Sequence, residues 1–398
     1  MNTLHTGAKP QTNQSIYMDH AATTPIAPTV FEAMLPYLRD HFGNPSSVHQ
    51  LGRMAKGAVE DSRDRIAGHF EAKPEQIIFT SGATEANNLA LNILGSDDHF
   101  ITSKIEHKAI LEPANQLASQ GVPVTLLEAD PLTGAVEASQ IRESIRSDTR
   151  LISLMYVNNE TGAMTDLKQI SEICTDQGIL LHTDAAQATA WLPLTPHAIG
   201  ADMISISGHK IYGPKGIGIL YIKEGIDLTP QILGGPQERE RRGGTENVAA
   251  VVGMAAALEM IVNRRDGVSQ RISSLREDLS DQLRSEMGDQ IIINTPSRAA
   301  PHILNVAFKP VDDVPFDGEM LLLNLDIEGI YTSAGSACTS GAIVPSHVLL
   351  GLGLHEDTAR ASLRLSLGRS TSSAEIECTV DCITKVVQRM RGRRKHER

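Results

Sequence analysis

The sequence predicts an α/β protein with a large, mainly parallel sheet and a smaller α+β unit that follows it along the chain. Between about residues 70 and 225, short continuous apolar runs alternate with helix-like segments, a pattern typical of parallel strands buried on both faces. After Gly253 the pattern changes to long helical stretches with a few separated strands. We therefore expect a large domain over residues 16–263 and a small domain over residues 264–398, with residues 1–30 packing on the small one.

The predicted elements follow one another in a simple order. Apolar runs predict strands of the large sheet at residues 76–80, 99–102, 123–127, 151–157, 178–182, 203–206 and 216–222. The second half predicts a helix at about 248–287, strands at 290–294 and 302–308, a helix at 317–325, a strand at 361–367 and a final helix from Ser373. The sequence contains no internal repeat and no low-complexity segment.

Composition limits the classes of function. The chain carries 36 basic and 48 acidic residues, a net charge of −12, which argues against general binding of nucleic acid. A basic cluster near the C-terminus is typical of a solvated terminus, although contact with RNA or an acidic protein stays open; it comprises Arg389, Arg391, Arg393, Arg394, Lys395 and Arg398. Because no segment resembles a secretory signal or a membrane span, we expect a cytoplasmic protein.

The four cysteines are few for so long a chain. Their spacing matches no zinc or iron–sulfur ligand set, so we expect a reduced protein without a bound metal. Cys378 and Cys382 lie four residues apart on the predicted final helix, and we interpret them as two buried core thiols.

Lys210 is the first candidate for chemistry. It lies in the segment 207–216, between the apolar run 202–206 and the strand-like run 216–222. Most lysines are solvated surface charges, but a lysine held between buried strands has a lowered pKa and a free amine. Such an amine can hold an aldehyde cofactor as a Schiff base.

Two further candidates follow predicted strands, at the edge where open α/β sheets bind ligands. The segment 81–84 opens a helix after a strand, so it is either a phosphate site or an ordinary capped helix. Asp184 ends an apolar strand, with Gln187 three residues later. Its carboxylate needs a partner, either a protonated pyridine nitrogen or a structural hydrogen bond.

Three other polar residues complete the set. His107 could stack on a flat ring or move a proton, although a histidine at a helix start is also a common cap. Either Asn159 or Asn158, which follow a strand, could orient a ligand. Arg364, inside an apolar strand, is expected to meet either an internal carboxylate or that of an amino-acid substrate.

Cys338 differs from the other thiols because its neighbours are small. Residues 333–341 consist of serine, alanine, glycine and threonine around this single cysteine. Such a loop packs poorly and is where a reactive thiol is found, so we expect Cys338 to be a mobile nucleophile.

Residues of about 16–387 resemble the NifS/IscS-like cysteine desulfurases, pyridoxal-phosphate enzymes of aminotransferase class V. Nine motifs in the order of the family support the resemblance: residues 17–25, 43–49, 81–88, 106–107, 157–160, 182–187, 207–216, 242–247 and 335–340. The resemblance implies the type I fold of pyridoxal-phosphate-dependent transferases, with a large, mainly parallel sheet of seven strands and a smaller α+β domain. It also implies a homodimer.

The resemblance further implies a role for each matched residue. Lys210 would hold pyridoxal 5'-phosphate and move the substrate's α-proton, and Cys338 would take the sulfur of L-cysteine as a persulfide, leaving L-alanine. His107 would stack on the cofactor, Asp184 would pair with its pyridine nitrogen and Gln187 with its phenolic oxygen. The phosphate would contact Ala83, Thr84, Ser207 and His209, with Thr245 from a second subunit. Asn159, rather than Asn158, and Arg364 would face the substrate.

The expected partners are an iron–sulfur scaffold, a tRNA-thiolation relay or another sulfur-acceptor protein. Other readings stay open: a selenocysteine lyase or another class V aminotransferase on the same scaffold, or a catalytically silent protein that binds iron–sulfur assembly proteins. A silent protein would lack the yellow chromophore that an intact Lys210 motif predicts.

Overall fold

The computed structural model describes residues 15–312, 314–334 and 344–396. The strands in these ranges are β1 (Ile16–Tyr17), β2 (Ile77–Thr80), β3 (His99–Ser103), β4 (Val124–Leu127), β5 (Thr149–Ser153), β6 (Leu180–Asp184), β7 (Met203–Ser207), β8 (Gly218–Ile222), β9 (Ile291–Ile293), β10 (Ile303–Phe308), β11 (Ile330–Tyr331) and β12 (Ser362–Ser366). Seven of them form the large sheet in the order β2-β8-β7-β6-β5-β3-β4. Only β8 runs antiparallel to its neighbours in this sheet, so the predicted α/β fold is confirmed.

Helices cover both faces of this sheet. They are α1 (Pro28–Arg39), α2 (Gln50–His69), α3 (Ala83–Leu91), α4 (Lys108–Ser119), α5 (Ala138–Ser144), α6 (Leu167–Gln177), α7 (Pro196–Ile199), α8 (Val248–Val262), α9 (Arg265–Met287), α10 (Gly318–Ile327), α11 (His347–Gly351), α12 (Glu356–Arg360) and α13 (Ser373–His396). Helix α6 shows how the local sequence sets the boundaries: the Asp166 side chain accepts a bond from the Gln169 amide at its start, and Gly178 ends it with a φ of 67°.

The strand expected at 151–157 ends earlier than its apolar sequence indicates. β5 stops at Ser153. Beyond it, the backbone of Met155 bonds to side chains instead of to the neighbouring strand β3. The Met155 amide donates to the Glu106 carboxyl at 2.9 Å, and the Thr165 hydroxyl donates to the Met155 carbonyl at 2.6 Å. Because these side chains replace the neighbouring strand β3, the sheet ladder cannot continue there.

The single helix expected at 248–287 is two helices, broken at Asn263 and Arg264. Helix α8 is apolar all round and packs on α1 and α2, whereas α9 is amphipathic and packs on α13. The two helices bury different faces, so the chain changes direction between them.

The smaller unit has its own sheet, in which β10 lies between β12 and β9 and pairs antiparallel with both. The N-terminal strand β1 pairs parallel with β11, and Asp19 bridges to Ser366, so residues 16–19 join this unit. The division between a large domain at 16–263 and a small one at 264–398 stays a prediction.

The thiols of the final helix differ from expectation. Cys378 is exposed and Cys382 is half-buried, so the interpretation of Cys378 as a core thiol is wrong. Both lie on α13, and the core takes the helix face that carries Ile376, Val380 and Ile383 instead. No helix within the described ranges is long and apolar enough to cross a membrane. Over the same ranges, no group of three or more potential ligands could hold a metal ion.

Candidate active site

The candidate residues meet at the carboxyl edge of the central strands. β6 ends at Asp184 and β7 at Ser207, and these parallel neighbours open toward the same side of the sheet. A single turn over Gly208–Lys210 follows β7 and brings Lys210 back to this edge. Gly208 is required in the turn because a Cβ there would lie 2.8 Å from the Pro214 carbonyl oxygen.

The Lys210 amine is held by backbone oxygen atoms. Its Nζ donates to the carbonyls of Ala21 and Ala22 at 2.5 and 2.7 Å. Burial lowers the pKa of Lys210 to about 8, Arg364 acts in the same direction, and Asp184 and Asp19 act against it. A large share of the amine is therefore uncharged at mildly alkaline pH, as Schiff-base formation requires.

Asp184 is buried and fully oriented by the fold. One carboxylate oxygen accepts from the Asn87 side-chain amide at 2.7 Å, and the other accepts from the Ala186 backbone amide at 2.9 Å. Each oxygen keeps room for a further donor. The structure therefore shows the structural hydrogen bonds that the sequence left open, and the carboxylate can still meet a cationic ring nitrogen.

Gln187 lies beside the lysine. Its side-chain nitrogen donates to the Ala21 carbonyl at 2.8 Å, the same oxygen that accepts from Lys210. Its side-chain oxygen lies 3.3 Å from Nε2 of His302, which is buried.

The start of α3 forms a cradle for an anion. Its N-cap is Gly82, which has no side chain to bond the first amides of the helix, at Ala83 and Thr84. Gly218 lets this turn lie close to the sheet, since a Cβ there would be 2.5 Å from the Gly82 carbonyl carbon. A Cβ on Gly82 would lie 3.9 Å from the Ser207 hydroxyl, so that hydroxyl lines the same cradle.

His209 adjoins this region. Its Nδ1 lies 3.2 Å from the Thr23 hydroxyl. Burial lowers the pKa of His209 to about 4, and the charges of Lys210 and Lys215 act in the same direction. A neutral imidazole at this position can donate a hydrogen bond to a phosphate without adding charge.

His107 is both a helix cap and a member of the site. Its Nδ1 accepts from the Ala109 amide at 3.1 Å, so the ring caps α4. Solvent reaches the ring, yet surrounding protein lowers its pKa, and Asp184 and Lys210 are near enough for their charges to act on it. The cap orients the imidazole and leaves Nε2 available.

The structure distinguishes the two asparagines. The Asn158 side-chain oxygen accepts from the backbone amides of Glu160 and Thr161, at 2.9 and 3.0 Å, so this residue holds a turn. The buried side-chain oxygen of Asn159 finds no partner among the described residues. Such an oxygen is costly to bury unless a ligand bonds to it, which favours Asn159 as the ligand-facing residue.

Arg364, in β12, has an internal carboxylate partner. It donates to Asp19 at 2.8 Å and to the Asn159 carbonyl at 2.9 Å. Its buried Nε finds no acceptor within the described ranges. The guanidinium is thus fixed by one carboxylate while Nε–H and further N–H groups can bind a second one.

Cys338 lies outside the described residues, but both flanks of its segment attach to the site. Upstream, Ser333 pairs with Arg364, whose amide donates to the Ser333 carbonyl at 2.7 Å. Downstream, the Ser346 hydroxyl donates to the buried Glu160 carboxyl at 2.5 Å and caps α11. The described residues on the two sides, Ser333 and Ser346, therefore lie beside Arg364 and Glu160.

Thr245 is exposed, as are Ile232 and Leu233 earlier in the same connection. Arg242 fastens this connection to the start of α3 by an ion pair with Glu85 at 2.9 Å. Among the residues that the structure describes, no bond joins Thr245 to the candidate site.

Several residues of the site were not predicted from the sequence. Asp19, Asn87 and His302 bond to Arg364, Asp184 and Gln187, respectively. Asp19 and Asn87 lie inside the motifs 17–25 and 81–88, so the motifs contained a signal for both. His302 lies in none of the nine motifs, and its contact with Gln187 is a consequence of the tertiary fold.

Comparisons with known proteins identify the family. The sequence model of the family Aminotransferase class-V matches residues 16–378. The cysteine desulfurase IscS of Dictyoglomus turgidum is 39% identical over 383 residues, which cover 95% of this chain and 96% of that protein. A solved NifS-like protein superposes with a TM-score of 0.86 at 32% identity, over 94% of this chain and 100% of that one. The protein SspA, solved in complex with cysteine, has a TM-score of 0.78 at 36% identity, over 89% and 99% of the two chains. The chain therefore belongs to the class V aminotransferase family.

Proposed function

We propose that the protein is a pyridoxal-phosphate-dependent cysteine desulfurase that converts L-cysteine to L-alanine and takes the sulfur onto Cys338 as a persulfide. The observation that carries the proposal is the desolvated Lys210 amine, which has the charged groups of Asp184 and Arg364 and the ring of His107 near it. The identity to a desulfurase over nearly the whole chain favours this reaction over transamination or selenocysteine cleavage.

The residues fit pyridoxal phosphate. The cradle at Gly82 suits a phosphate, because backbone amides at a helix start attract anions. Asp184 suits the pyridine nitrogen, and the Gln187 amide suits the phenolic oxygen. When bound, this cofactor supplies an electron sink that stabilises negative charge on the substrate carbon beside the amino group.

The protein's own groups would bind the substrate and move its protons. Arg364, held by Asp19, would bind the cysteine carboxylate through Nε–H and a terminal N–H. The Asn159 side-chain oxygen would accept a hydrogen bond on the same side of the site. Nζ of Lys210, with its lowered pKa, would take a proton as a neutral amine and return it.

Asp184 and His107 would bind the ring of the cofactor. Asp184, anchored by Asn87, would keep a proton on the pyridine nitrogen. His107 would present Nε2 to the ring and exchange a proton there, since its Nδ1 is occupied by the helix cap. The thiolate of Cys338 would then attack the substrate sulfur, so that a sulfur–sulfur bond forms as the carbon–sulfur bond breaks. The electron pair of the broken bond would stay on the substrate's β-carbon, which takes up a proton to give alanine, and the sulfur would remain on Cys338 as a persulfide.

The test is the stoichiometry of products. With L-cysteine and a reducing thiol, we expect equal amounts of alanine and sulfide, because each turnover breaks one carbon–sulfur bond. C338S should lose sulfide production and keep the absorbance of the bound cofactor, whereas C378S, at an exposed cysteine, serves as the matched control and should keep both. Keto acid without sulfide would indicate an aminotransferase, and selenocysteine cleavage without cysteine cleavage a lyase; either result would contradict the proposal.

We also propose a homodimer, in which Thr245 reaches the phosphate of the partner site. Large apolar side chains are exposed around the α1–α2 connection, including Phe42 at 75% and Val48 at 88%. Such a patch is typical of a protein–protein interface. F42E should sediment as a monomer and bind the cofactor less tightly, whereas L132E, at another exposed apolar residue, should stay dimeric; a dimeric F42E would refute this assignment.

The acceptor of the sulfur would be an iron–sulfur scaffold, a tRNA-thiolation relay or another sulfur-transfer protein in the cytoplasm. Val344 is exposed, and Ser333 and Ser346 bond to Arg364 and Glu160, which supports a sulfur carrier that both the site and an acceptor protein can reach. Trapping mixed disulfides on Cys338 and identifying the attached proteins by mass spectrometry tests which acceptor is used.

A further inference from the structure

We propose that His302 is a positioning residue of the active site, which fixes the Gln187 side-chain amide so that an N–H group faces the cofactor's phenolic oxygen. This inference rests on the proposed role of Gln187. His302 touches neither substrate nor cofactor in this account and acts through Gln187 alone. It lies immediately before β10, in the smaller unit, and is 1% exposed.

The Ala21 carbonyl oxygen determines which way the side-chain amide of Gln187 points. The Ala21 carbonyl oxygen lies 2.8 Å from the Gln187 amide and accepts hydrogen bonds only, so the nitrogen of that amide must face Ala21. The amide oxygen then faces Nε2 of His302, 3.3 Å away. Nε2 of His302 must therefore carry the ring proton and donate it, which assigns the tautomer from the contacts.

The ring of His302 is fixed by a second contact. Trp191 stacks on it with ring centroids 4.6 Å apart and an interplanar angle of 14°. Trp191 is itself buried, so the imidazole cannot turn away without disturbing the core. The stack holds Nε2 toward Gln187.

The environment keeps this imidazole neutral. Its Nδ1 is buried and finds no partner among the described residues, so a second ring proton would have no acceptor. Burial lowers the pKa of His302 well below its usual range, and His20, Arg364, Arg276 and Lys210 all act in the same direction. At neutral pH the ring is thus neutral and carries its one proton on Nε2.

This orientation matters for the lysine as well. The Ala21 carbonyl oxygen accepts from both Gln187 and Lys210, so the amide and the amine are held by one atom. The second N–H of Gln187 remains for the cofactor. A hydrogen bond to the phenolic oxygen stabilises its negative charge and lowers the pH at which the linkage to Lys210 loses its proton.

The test compares H302L, which removes the donor, with H302Q, which retains an N–H at a similar position. H99N is the matched control: His99 is also fully buried and bonded through both ring nitrogens, to Thr149 and Thr125, but lies at the opposite edge of the sheet. The readout is the pH midpoint of the absorbance change of the bound cofactor. H302L should raise this midpoint by about one pH unit, the size expected for a lost hydrogen bond to a charged group. H302Q and H99N should shift it by less than about 0.3 units on the same scale.

A second readout needs no cofactor and no variant. Trp191 is the only tryptophan of the chain, and protonated imidazole quenches a stacked indole. Its fluorescence in the cofactor-free protein should be constant between about pH 5 and 9, where an ordinary histidine would titrate. If H302L does not fold, H302M replaces it.

An unchanged midpoint in H302L, an equal shift in H302Q, or a fluorescence change near pH 6.5 would each overturn the role of His302. Absence of a cofactor band from the wild-type protein is a different failure, because it would overturn the proposed function itself and this inference with it.

Discussion

Replacing Lys210 by methionine should stabilise the cofactor-free protein at neutral pH. A pKa lowered from 10.5 to about 8 means that holding the charged amine in the fold costs about 3 kcal/mol below pH 8. Methionine removes that cost but leaves the carbonyls of Ala21 and Ala22 without their donor, at about 1 kcal/mol each. The net expectation at pH 7 is a gain of about 1 kcal/mol.

The sign of the stability difference between K210M and the wild type depends on pH. The folded pKa lies below the unfolded one, so the cost of the charge is complete below about pH 8 and disappears as the pH rises toward 10.5. At pH 9.5 about half of the cost remains, so the advantage of K210M should fall by about 2 kcal/mol between pH 7 and 9.5. The lost hydrogen bonds then make the variant slightly less stable than the wild type.

Urea unfolding of the cofactor-free proteins at pH 7 and 9.5 measures this difference. K215M is the matched control, because Lys215 is exposed five residues away, and it should change the free energy of unfolding by less than about 0.5 kcal/mol at either pH. A K210M protein that is less stable than the wild type at pH 7, or whose difference does not vary with pH, would refute the account of a desolvated amine.

Three other predictions concern neighbouring groups. N158A should lower the free energy of unfolding by about 2 kcal/mol, because two backbone amides lose their acceptor. N159A should change the free energy of unfolding by less than about 0.5 kcal/mol but slow cysteine turnover at least tenfold. Thermal unfolding measures the stability of both variants, and alanine release measures their turnover. Burial raises the pKa of Glu106 from 4.5 to about 8, so the wild type loses stability as the pH rises from 4.5 to 8. The free energy of unfolding of E106Q should therefore increase relative to that of the wild type over this pH range, which urea unfolding curves at a series of pH values measure. E238A should cost about 3–5 kcal/mol in urea unfolding, because it leaves the buried guanidinium of Arg63 without its partner at 2.7 Å.

Each of these has a clear contrary result. Equal stability of N158A and N159A would contradict the distinction between the two asparagines. A difference between E106Q and wild type that is independent of pH would show that the buried carboxyl is ionised throughout. An E238A protein as stable as the wild type would show that the ion pair with Arg63 does not stabilise the fold.

Much of the fold was predictable because the spacing of apolar residues along the chain indicates which segments are strands and which are helices. The strands of the large sheet are short and apolar, and each was found within a few residues of its predicted position. The end of β5 was not predictable, because a carboxyl distant in sequence, that of Glu106, replaces the neighbouring strand. Nor was the break before α9, which depends on which partner each helix face meets.

The candidate site shows the same limit. The sequence placed Lys210 and Asp184 at strand ends because charged residues after apolar strands are conspicuous. It left Asn158 and Asn159 open, since only the hydrogen bonds of the folded turn reveal which oxygen is unpaired. The partner of Arg364 also required the fold, because Asp19 is 345 residues away in sequence.

The most direct test of the account is to locate the cofactor on the chain. Purified protein loaded with pyridoxal phosphate is reduced with borohydride, digested, and analysed by peptide mass spectrometry. The account predicts a pyridoxyl adduct on Lys210, because its buried amine has a pKa of about 8. An adduct on another lysine, or no adduct in a protein that still releases sulfide from cysteine, would contradict it.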